Sequence, residues 1–388
     1  MIPFVALLAV LAVGASGELS EFTASSTDFT FRFLKGAYTP TENAILSPVS
    51  IQSSLAMFYP LAGPEVSPDM QRHLNLPADK TIATDNLRRF FASISKQQAR
   101  PDALKVLSKV YHVDAELNPE VLPLFQGQFG AEVETANFQD QETVVRSVNE
   151  WVDRSTGGLI PNYMEPGELR VDTDLMLLNV VALNASWQDP FDPEETEESD
   201  FQFLNGARKV QMMHVAGEFQ FGVVNEHNCY AVELNYEEDT DLSMVLILPK
   251  KKHTLQDIIQ GLSVDLYRAL DESLHKVRVA VAIPKFTMRK KLDAKELLMN
   301  MGLKSIFENL DFDLLTKDKS KIGEVRQTGF IRVDERGTEA AAATDVQAVG
   351  RSSIPTFYAN RPFLYLIRKR STKDIIFIGH YSVYEEQQ

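Results

Sequence analysis

The sequence predicts an α+β protein that folds as one large domain. Residues 141–155 place apolar side chains on one helical face, whereas Leu175–Leu183 is an uninterrupted apolar run typical of a strand covered on both faces. No Gly/Ser-rich linker, low-complexity tract or repeat divides the 388 residues, of which 44% are hydrophobic. A chain of this length can bury a large core without further support, so we expect a single domain.

The first 17 residues read MIPFVALLAVLAVGASG, an apolar run followed by small residues. This pattern is typical of a secretory signal peptide cleaved near Gly17, although no Lys or Arg precedes the run. The run is shorter than the roughly 20 residues needed to cross a bilayer. We therefore expect a signal peptide over residues 1–17, a mature domain over residues 18–388, secretion to the extracellular space and no membrane association.

Regular elements follow one another along the mature chain. Ser47 and Pro48 are typical of a helix N-cap followed by proline in the first turn, and they predict a helix over Val49–Tyr59. Residues 141–155 predict an amphipathic helix with its valines and Trp151 on one face. Apolar segments predict strands over Leu242–Leu248, Val277–Ile283, Pro362–Ile367 and Ile375–Tyr381, the last two as a hairpin.

Charge and motifs exclude several classes of function. The formal net charge of −15 argues against nucleic acid as a partner, because phosphate binding needs a dominant basic surface. The chain contains no Gly-rich phosphate loop, nucleophile elbow, H-E-x-x-H or paired C-x-x-C motif, and its seven histidines are scattered. We expect no metal, no cofactor and a binding or inhibitory protein rather than an enzyme. The single cysteine, Cys229, is expected to be a buried thiol.

Residues 335–355, ERGTEAAAATDVQAVGRSSIP, combine the features of a strand and of a loop. Read with a period of two, alternate positions from 338 to 348 are all small or apolar, whereas three of the six positions on the opposite face are polar. This alternation predicts a strand with one face buried in a confined space. Gly337 and the Gly-Arg-Ser-Ser run at 350–353 are instead typical of an exposed loop. The segment is therefore predicted to change state.

Six segments, in order along almost the whole mature chain, resemble the serpin family: Asn43–Ile51, Val148–Asn162, Leu177–Phe191, Ile283–Phe286, Pro362–Arg368 and Phe377–Tyr381. The resemblance implies the single-domain serpin fold, with multiple helices around three β-sheets and an exposed reactive-centre loop over about 335–355. It also implies a monomeric serine protease inhibitor that is not itself an enzyme. The alanine-rich loop and lone cysteine are similar to those of arthropod secreted serpins, including those of tick saliva.

In the family, a protease attacks the loop and forms an acyl-enzyme, and the upstream half of the loop then inserts into the main sheet. In the hinge of this movement the residues of the inward face must be small or hydroxylated, because a buried unpaired charge would oppose insertion by several kcal/mol. The hinge residues are Glu335, Gly337, Thr338, Glu339, Ala340, Ala341, Ala342, Ala343 and Thr344.

Family spacing also locates the bait bond. When Glu335 is counted as the first loop residue, the seventeenth is Arg351, followed by Ser352. An arginine suits a protease pocket floored by a carboxylate, and Gly350 suits a crowded neighbouring subsite. Gly-Arg-Ser resembles the bait of antithrombin. The implied partners are trypsin-like proteases such as trypsin, thrombin or factor Xa, in a covalent complex, with coagulation, complement or inflammation as the setting.

Further positions follow from the resemblance. Ser47, Ser50 and Asn179 match the hydrogen-bonded shutter beneath the opening sheet, and Trp187 matches the tryptophan at the insertion point. The shutter of the family also contains a histidine, and Gln327 occupies that position here. Since glutamine both donates and accepts hydrogen bonds, we expect function to survive the change, with altered energetics of sheet opening.

Two surface features and two alternative functions remain open. Asn184-Ala-Ser is the one N-glycosylation sequon, and basic clusters occur at 88–89, 250–252, 289–291 and 368–370. The first cluster lies where some serpins bind heparin, so a glycosaminoglycan is an alternative to plain solvated charge. A non-inhibitory carrier or storage serpin would form no covalent complex. A hydrolase would need a nucleophile that the sequence does not display.

Overall fold

The computed structural model describes residues 19–95, 103–113, 118, 121–309, 311–312, 321–337 and 354–386. The helices are α1 Glu21–Ala37, α2 Pro48–Ala56, α3 Ser67–His73, α4 Lys80–Ser95, α5 Gln141–Thr156, α6 Leu255–Gly261, α7 Val264–Ser273, α8 Lys295–Asn300 and α9 Ser305–Glu308. The strands are β1 Ala44–Leu46, β2 Leu104–His112, β3 Glu132–Thr135, β4 Leu175–Leu183, β5 Glu197–Phe203, β6 Gly206–Val224, β7 Cys229–Asn235, β8 Leu242–Pro249, β9 His275–Pro284, β10 Phe286–Asp293, β11 Glu324–Val333, β12 Thr356–Tyr358, β13 Phe363–Lys369 and β14 Ile375–Tyr381. The predicted signal peptide lies outside the described residues.

The smaller sheet contains the strand pair that matters for function. Its described strands follow the order β10-β11-β4-β2-β3. Strands β4 and β11 are parallel and directly hydrogen-bonded over eight residue pairs, from Glu324 opposite Met176 to Ile331 opposite Leu183. Each of them is antiparallel to its other neighbour, β2 and β10 respectively. Within the described part of the chain, no strand lies between β4 and β11.

The larger sheet follows the order β1-β14-β13-β8-β7-β6-β9-β12, with β5 paired to β6. The 19-residue strand β6 pairs with β9 through Met212–Phe221 and with β7 through Gln220–Val224. The long strand β6 is therefore hydrogen-bonded to β9 along one part of its length and to β7 along another. Of the three sheets that the resemblance implies, two are thus joined by hydrogen bonds through β6.

Strand β4 is covered on both faces, as its apolar run predicts. All nine of its residues are buried. Val144, Val148 and Trp151 of α5 pack with one face of the smaller sheet, in a cluster that includes Val180 of β4. Leu177 of β4 joins the opposite cluster, with α1 and α2. Each such fully buried side chain stabilises the fold by about 1.5–3 kcal/mol.

Other predicted elements are confirmed, with local differences. Helix α2 begins at Pro48 but ends at Ala56, and Tyr59–Leu61 forms a 3₁₀ turn, because Pro60 lacks an amide donor and disfavours helical geometry before it. Strands β13 and β14 form the predicted hairpin. Cys229 is fully buried, which raises the pKa of its thiol to about 11. Among the residues that the structure describes, no helix has the length and apolar content to cross a membrane.

Candidate functional site

The site lies along the junction of β4 and β11. One end of it is the turn Asp334–Gly337, which directly follows β11 and is here called the β11 exit. Trp187, which follows β4, holds this turn: its backbone N–H donates to the carbonyl of Arg336 at 3.0 Å, and its indole Nε1 donates to the carbonyl of Asp334 at 2.9 Å. Phe191 N–H donates to the carbonyl of Glu335 at 2.8 Å. The segment after β4 therefore fixes the path of the chain as it leaves β11.

The side chain of Glu335 adds an ion pair to the β11 exit. Its carboxylate lies 2.7 Å from Nζ of Lys285, between β9 and β10, and accepts a hydrogen bond from Oγ1 of Thr196 at 2.8 Å. Burial opposes ionisation of this carboxyl, but the hydrogen bonds from Lys285 and Thr196 outweigh it and hold its pKa below the ordinary value. The charge of Glu335 therefore stabilises the exit at neutral pH.

Gly337 ends the described part of the exit, at a position that requires glycine. Its φ is +91°, in the left-handed region that side chains disfavour. A Cβ atom there would lie 2.3 Å from the backbone nitrogen of Trp187 and 2.5 Å from Cα of Ser186. The chain thus passes against the backbone that follows β4, with no room for a side chain.

Trp187 is itself anchored in the core. Its ring stacks on Tyr236 with centroids 4.4 Å apart and an interplanar angle of 14°, and Phe191 contacts it edge-on. The tryptophan is 4% exposed. The hydrogen-bond donors that hold the β11 exit are therefore mounted on a rigid aromatic stack.

The middle of the junction contains a cluster of hydroxyls around Asn179, here called the serine cluster. Oδ1 of Asn179 accepts from Oγ of Ser54 at 2.5 Å, of Ser108 at 3.0 Å and of Ser50 at 3.2 Å. All four side chains are buried. Among the described residues Nδ2 of Asn179 has no hydrogen-bond partner. The cluster joins α2 and β2 to β4.

Gln327 lies beside Asn179 across the β4–β11 pair but bonds elsewhere. Its Nε2 donates to the carbonyl of Ser47, and its Oε1 accepts from the N–H of Ser47, both at 2.9 Å. The hydroxyl of Ser47 donates to the carbonyl of Ile376 at 2.6 Å instead of capping α2. Gln327 thus ties β11 to the start of α2, while the serine cluster ties β4 to the same helix.

Comparison with known proteins identifies this arrangement. A family model described as serpin, serine protease inhibitor, matches residues 24–383. The chain belongs to the serpin family. This membership confirms the resemblance, the fold class and the prediction of an inhibitor rather than an enzyme.

Individual relatives cover nearly the whole chain. The leukocyte elastase inhibitor of Xenopus tropicalis is 30% identical over 377 residues, which span 94% of this chain and 100% of the relative. Serpin B8 of Homo sapiens is also 30% identical, over 94% and 99%. Among solved structures, SRPN18 from Anopheles gambiae has a TM-score of 0.84 at 27% identity, over 94% and 98% of the two chains. Human thyroxine-binding globulin has a TM-score of 0.85 at 23% identity, over 94% and 99%, which shows the shared fold alone.

The structure brings together the serpin shutter residues named from the sequence. Ser47, Ser50, Asn179 and Gln327 surround the middle of the junction, and Trp187 stands at the β11 exit with Glu335 and Gly337. Their roles in sheet opening stay predictions. The remaining hinge and bait positions lie outside the described residues: Thr338, Glu339, Ala340, Ala341, Ala342, Ala343, Thr344, Gly350, Arg351 and Ser352.

Several contributors were missed by sequence reasoning. Ser54 lies four residues after Ser50, on the same face of α2, a signal that could have suggested the serine cluster. Ser108 gave no such signal, because β2 also contains Lys105, Lys109 and His112. Lys285 and Thr196 show no such local signal, because their partner Glu335 is 50 and 139 residues away in sequence.

The surface features differ in their exposure. Asn184, directly after β4, is exposed, whereas Ser186 of the same sequon is buried. Arg88 and Arg89 are exposed on α4, and Arg88 forms an ion pair with Asp85 at 2.9 Å. In the 368–370 cluster, Arg368 is fully buried and lies 2.9 Å from Glu233 and 2.7 Å from Asp271, so it offers no charge to a polyanion.

Proposed function

We propose that this serpin is a secreted inhibitor of serine proteases that cleave after arginine, with Arg351–Ser352 as its bait bond. The observation that carries the proposal is the direct parallel pairing of β4 with β11, above which the chain reverses in the turn Asp334–Gly337. Residues that continue from Gly337 and return between these strands would be antiparallel to both. Antiparallel pairs are slightly more stable per residue than the parallel pair that they would replace.

Chain length and composition support insertion. The residues from 338 to 351 can span about 45 Å when extended, compared with about 26 Å for the eight paired residues of β4 and β11. Their inward face carries only small or apolar side chains from Thr338 to Ala348. Insertion therefore places no charged side chain on the buried face of the sheet and carries Arg351 to the far end of the junction.

The chemistry is that of an interrupted proteolysis. The protease serine attacks the carbonyl carbon of Arg351, and the ester forms as the amine of Ser352 departs with a proton from the protease histidine. The serpin, now covalently bound through Arg351, inserts its loop before water hydrolyses the ester. Insertion displaces the bound protease and distorts its catalytic geometry.

Elastase is a second candidate for the target protease, with a different bait residue. The relatives are named as inhibitors of leukocyte elastase, and elastase has a small primary pocket. Ala348 and Val349, just before Gly350, would suit such a pocket. We favour Arg351 because family spacing counted from Glu335 reaches it, and because Gly350 leaves the adjacent subsite free.

The test uses the mature protein, residues 18–388, incubated with trypsin, thrombin, factor Xa and leukocyte elastase. We expect a denaturant-stable adduct with an arginine-cutting protease and a released peptide beginning at Ser352, identified by mass spectrometry. Arg351→Ala is expected to abolish that adduct. The matched variant Thr338→Arg keeps the bait but places a charge on the inward face, and is expected to be cleaved without forming an adduct.

Other outcomes contradict the proposal in distinct ways. An adduct through Val349 with elastase would move the bait bond. Cleavage after Arg351 without any adduct would make the protein a substrate, and no reaction at all would favour the carrier alternative. Secretion is tested by expression in a eukaryotic secretory host, where we expect a mature N-terminus near Glu18 and a glycan on the exposed Asn184. Retention on heparin that falls with added salt would support a glycosaminoglycan partner.

A further inference from the structure

The chain that follows the bait bond rejoins the fold within a few residues. The structure describes the chain again from Ile354. The carbonyl of Pro355 accepts a hydrogen bond from the N–H of Ala280 at 2.9 Å, and Thr356 lies opposite Ala280 at the start of β12. Because β12 is parallel to β9, the residues before Thr356 lead back along β9 toward its first residues. The downstream anchor of the bait loop is therefore this end of β9.

This short connection confines a bound protease. Arg351 precedes Ile354 by three residues, so the bait carbonyl lies within about 11 Å of Ile354 whatever conformation the chain adopts. A folded domain of about 200 residues has a radius of gyration of about 16 Å. A protease engaged at Arg351 is therefore wider than the connection that holds it, and its surface reaches the serpin around this end of β9.

The first four residues of β9, His275, Lys276, Val277 and Arg278, are all exposed and are here called the β9 entry. Glu218 of β6 lies opposite Arg278 in the strand register, but its carboxylate pairs with Nζ of Lys276 at 3.1 Å. Among the described residues, the guanidinium of Arg278 forms no ion pair or hydrogen bond. The β9 entry therefore presents an unpaired positive charge, on a protein whose formal net charge is −15.

The residues beside Arg278 leave its guanidinium accessible. Ala280 follows it on the same face of β9, and Ala216 of β6 lies directly opposite Ala280. Both alanines are half-buried, and their methyl groups do not extend from the sheet as far as an arginine side chain does. A guanidinium in such surroundings can bind both oxygens of a carboxylate, a geometry that a lysine ammonium does not provide.

We propose that Arg278 is a specificity-determining residue of this inhibitor, which pairs with a carboxylate on the leaving-group side of the cleft of the target protease. The inference rests on the proposed function, because it requires a protease engaged at Arg351. Arg351 suits the primary pocket, whereas Arg278 selects among proteases that share this pocket by the charge of their surface. Complementary charges across an interface chiefly accelerate association.

The test measures second-order rate constants of adduct formation with trypsin, thrombin and factor Xa. With the protease that the wild type inhibits fastest, Arg278→Glu is expected to lower the rate constant about tenfold in about 0.1 M salt, and Arg278→Ala about threefold. In about 1 M salt these differences are expected to shrink, because the Debye length falls from about 10 Å to about 3 Å. The control Arg72→Glu makes the same change of charge at an exposed position of α3, which packs against the turn Tyr59–Leu61, and is expected to react as the wild type does.

The number of inhibitor molecules consumed per protease separates docking from loop insertion. This stoichiometry is expected to be unchanged in Arg278→Glu, because the substitution lies outside the bait loop and the β4–β11 junction; a raised value would place the effect in insertion and overturn the assignment. Equal rate constants for Arg278→Glu, Arg72→Glu and the wild type would overturn the role of Arg278 and leave the proposed function standing. A reduction that persists in about 1 M salt would overturn the charge pairing. Absence of an adduct between the wild type and all three proteases would overturn the proposed function, and this inference with it.

Discussion

Replacing Gly337 with alanine tests whether the β11 exit is held closed by contact with the segment after β4. The new Cβ would lie 2.3 Å from the nitrogen of Trp187, at a backbone φ of +91°. The left-handed conformation costs an L-residue about 1–2 kcal/mol. Overpacking against a backbone that cannot move adds about 1–3 kcal/mol. The exit can relieve this strain by releasing its two hydrogen bonds from Trp187.

Gly167→Ala is the matched control for this experiment. Its φ is +97°, nearly that of Gly337, but the position that its Cβ would take has no heavy atom of a non-adjacent residue within 4 Å. The control therefore carries the conformational penalty without the clash. The difference between the two variants isolates the contact with Trp187, for which we expect about 1–3 kcal/mol.

Hydrogen exchange measures this difference locally. Because each 1.36 kcal/mol is a factor of ten, peptides that contain Trp187 are expected to exchange about 5- to 150-fold faster in Gly337→Ala than in the wild type. Gly167→Ala is expected to leave those peptides unchanged. Circular dichroism checks that both variants are folded. Wild-type exchange at Trp187 in Gly337→Ala would refute the argument that the exit and the segment after β4 are locked together.

Three further predictions concern charge, the serine cluster and the thiol. Glu335→Gln is expected to remove about 1–2 kcal/mol of stability at neutral pH, a modest value because the side chain of Lys285 is 38% exposed. Since the pKa of Glu335 is lowered, the difference in stability from the wild type is present above about pH 4.5 and disappears as the pH falls below it. A difference that persists in acid would contradict the ion pair. Ser54→Ala, which loses hydrogen bonds to both Asn179 and Ser108, is expected to lower stability by about 1–2 kcal/mol in denaturant unfolding, more than Ser50→Ala, which loses a hydrogen bond to Asn179 alone. Cys229, with a buried thiol of pKa about 11, is expected to react with a disulfide reagent at pH 8 only after unfolding, and rapid labelling of the native protein would exclude its burial.

The elements that the sequence predicted well are those with a local signal. The valines and Trp151 of α5 repeat with the helical period, and their burial follows from that spacing. The run that became β4 is apolar at eight of its nine positions and contains β-branched residues, which favoured a covered strand, and the polar exception, Asn179, marks the site. The alternation from Thr338 to Ala348 is also a local signal, but those residues lie outside the described part of the chain, so their ability to become a strand stays a prediction.

Tertiary structure decided which of these groups meet. Asn179 accepts hydrogen bonds from residues 71 to 129 positions away, and Glu335 pairs with Lys285 across 50 positions. Whether Gln327 bonded to Asn179 or to Ser47 depended on the placement of α2 against β11, which no spacing encodes. Periodicity reports the burial of each residue within its own element because it depends on neighbours a few residues apart. Hydrogen-bond partners depend on how separate elements pack, so the sequence by itself determined the strands and their faces, and only the packed fold determined the bonds that hold β4 and β11 together.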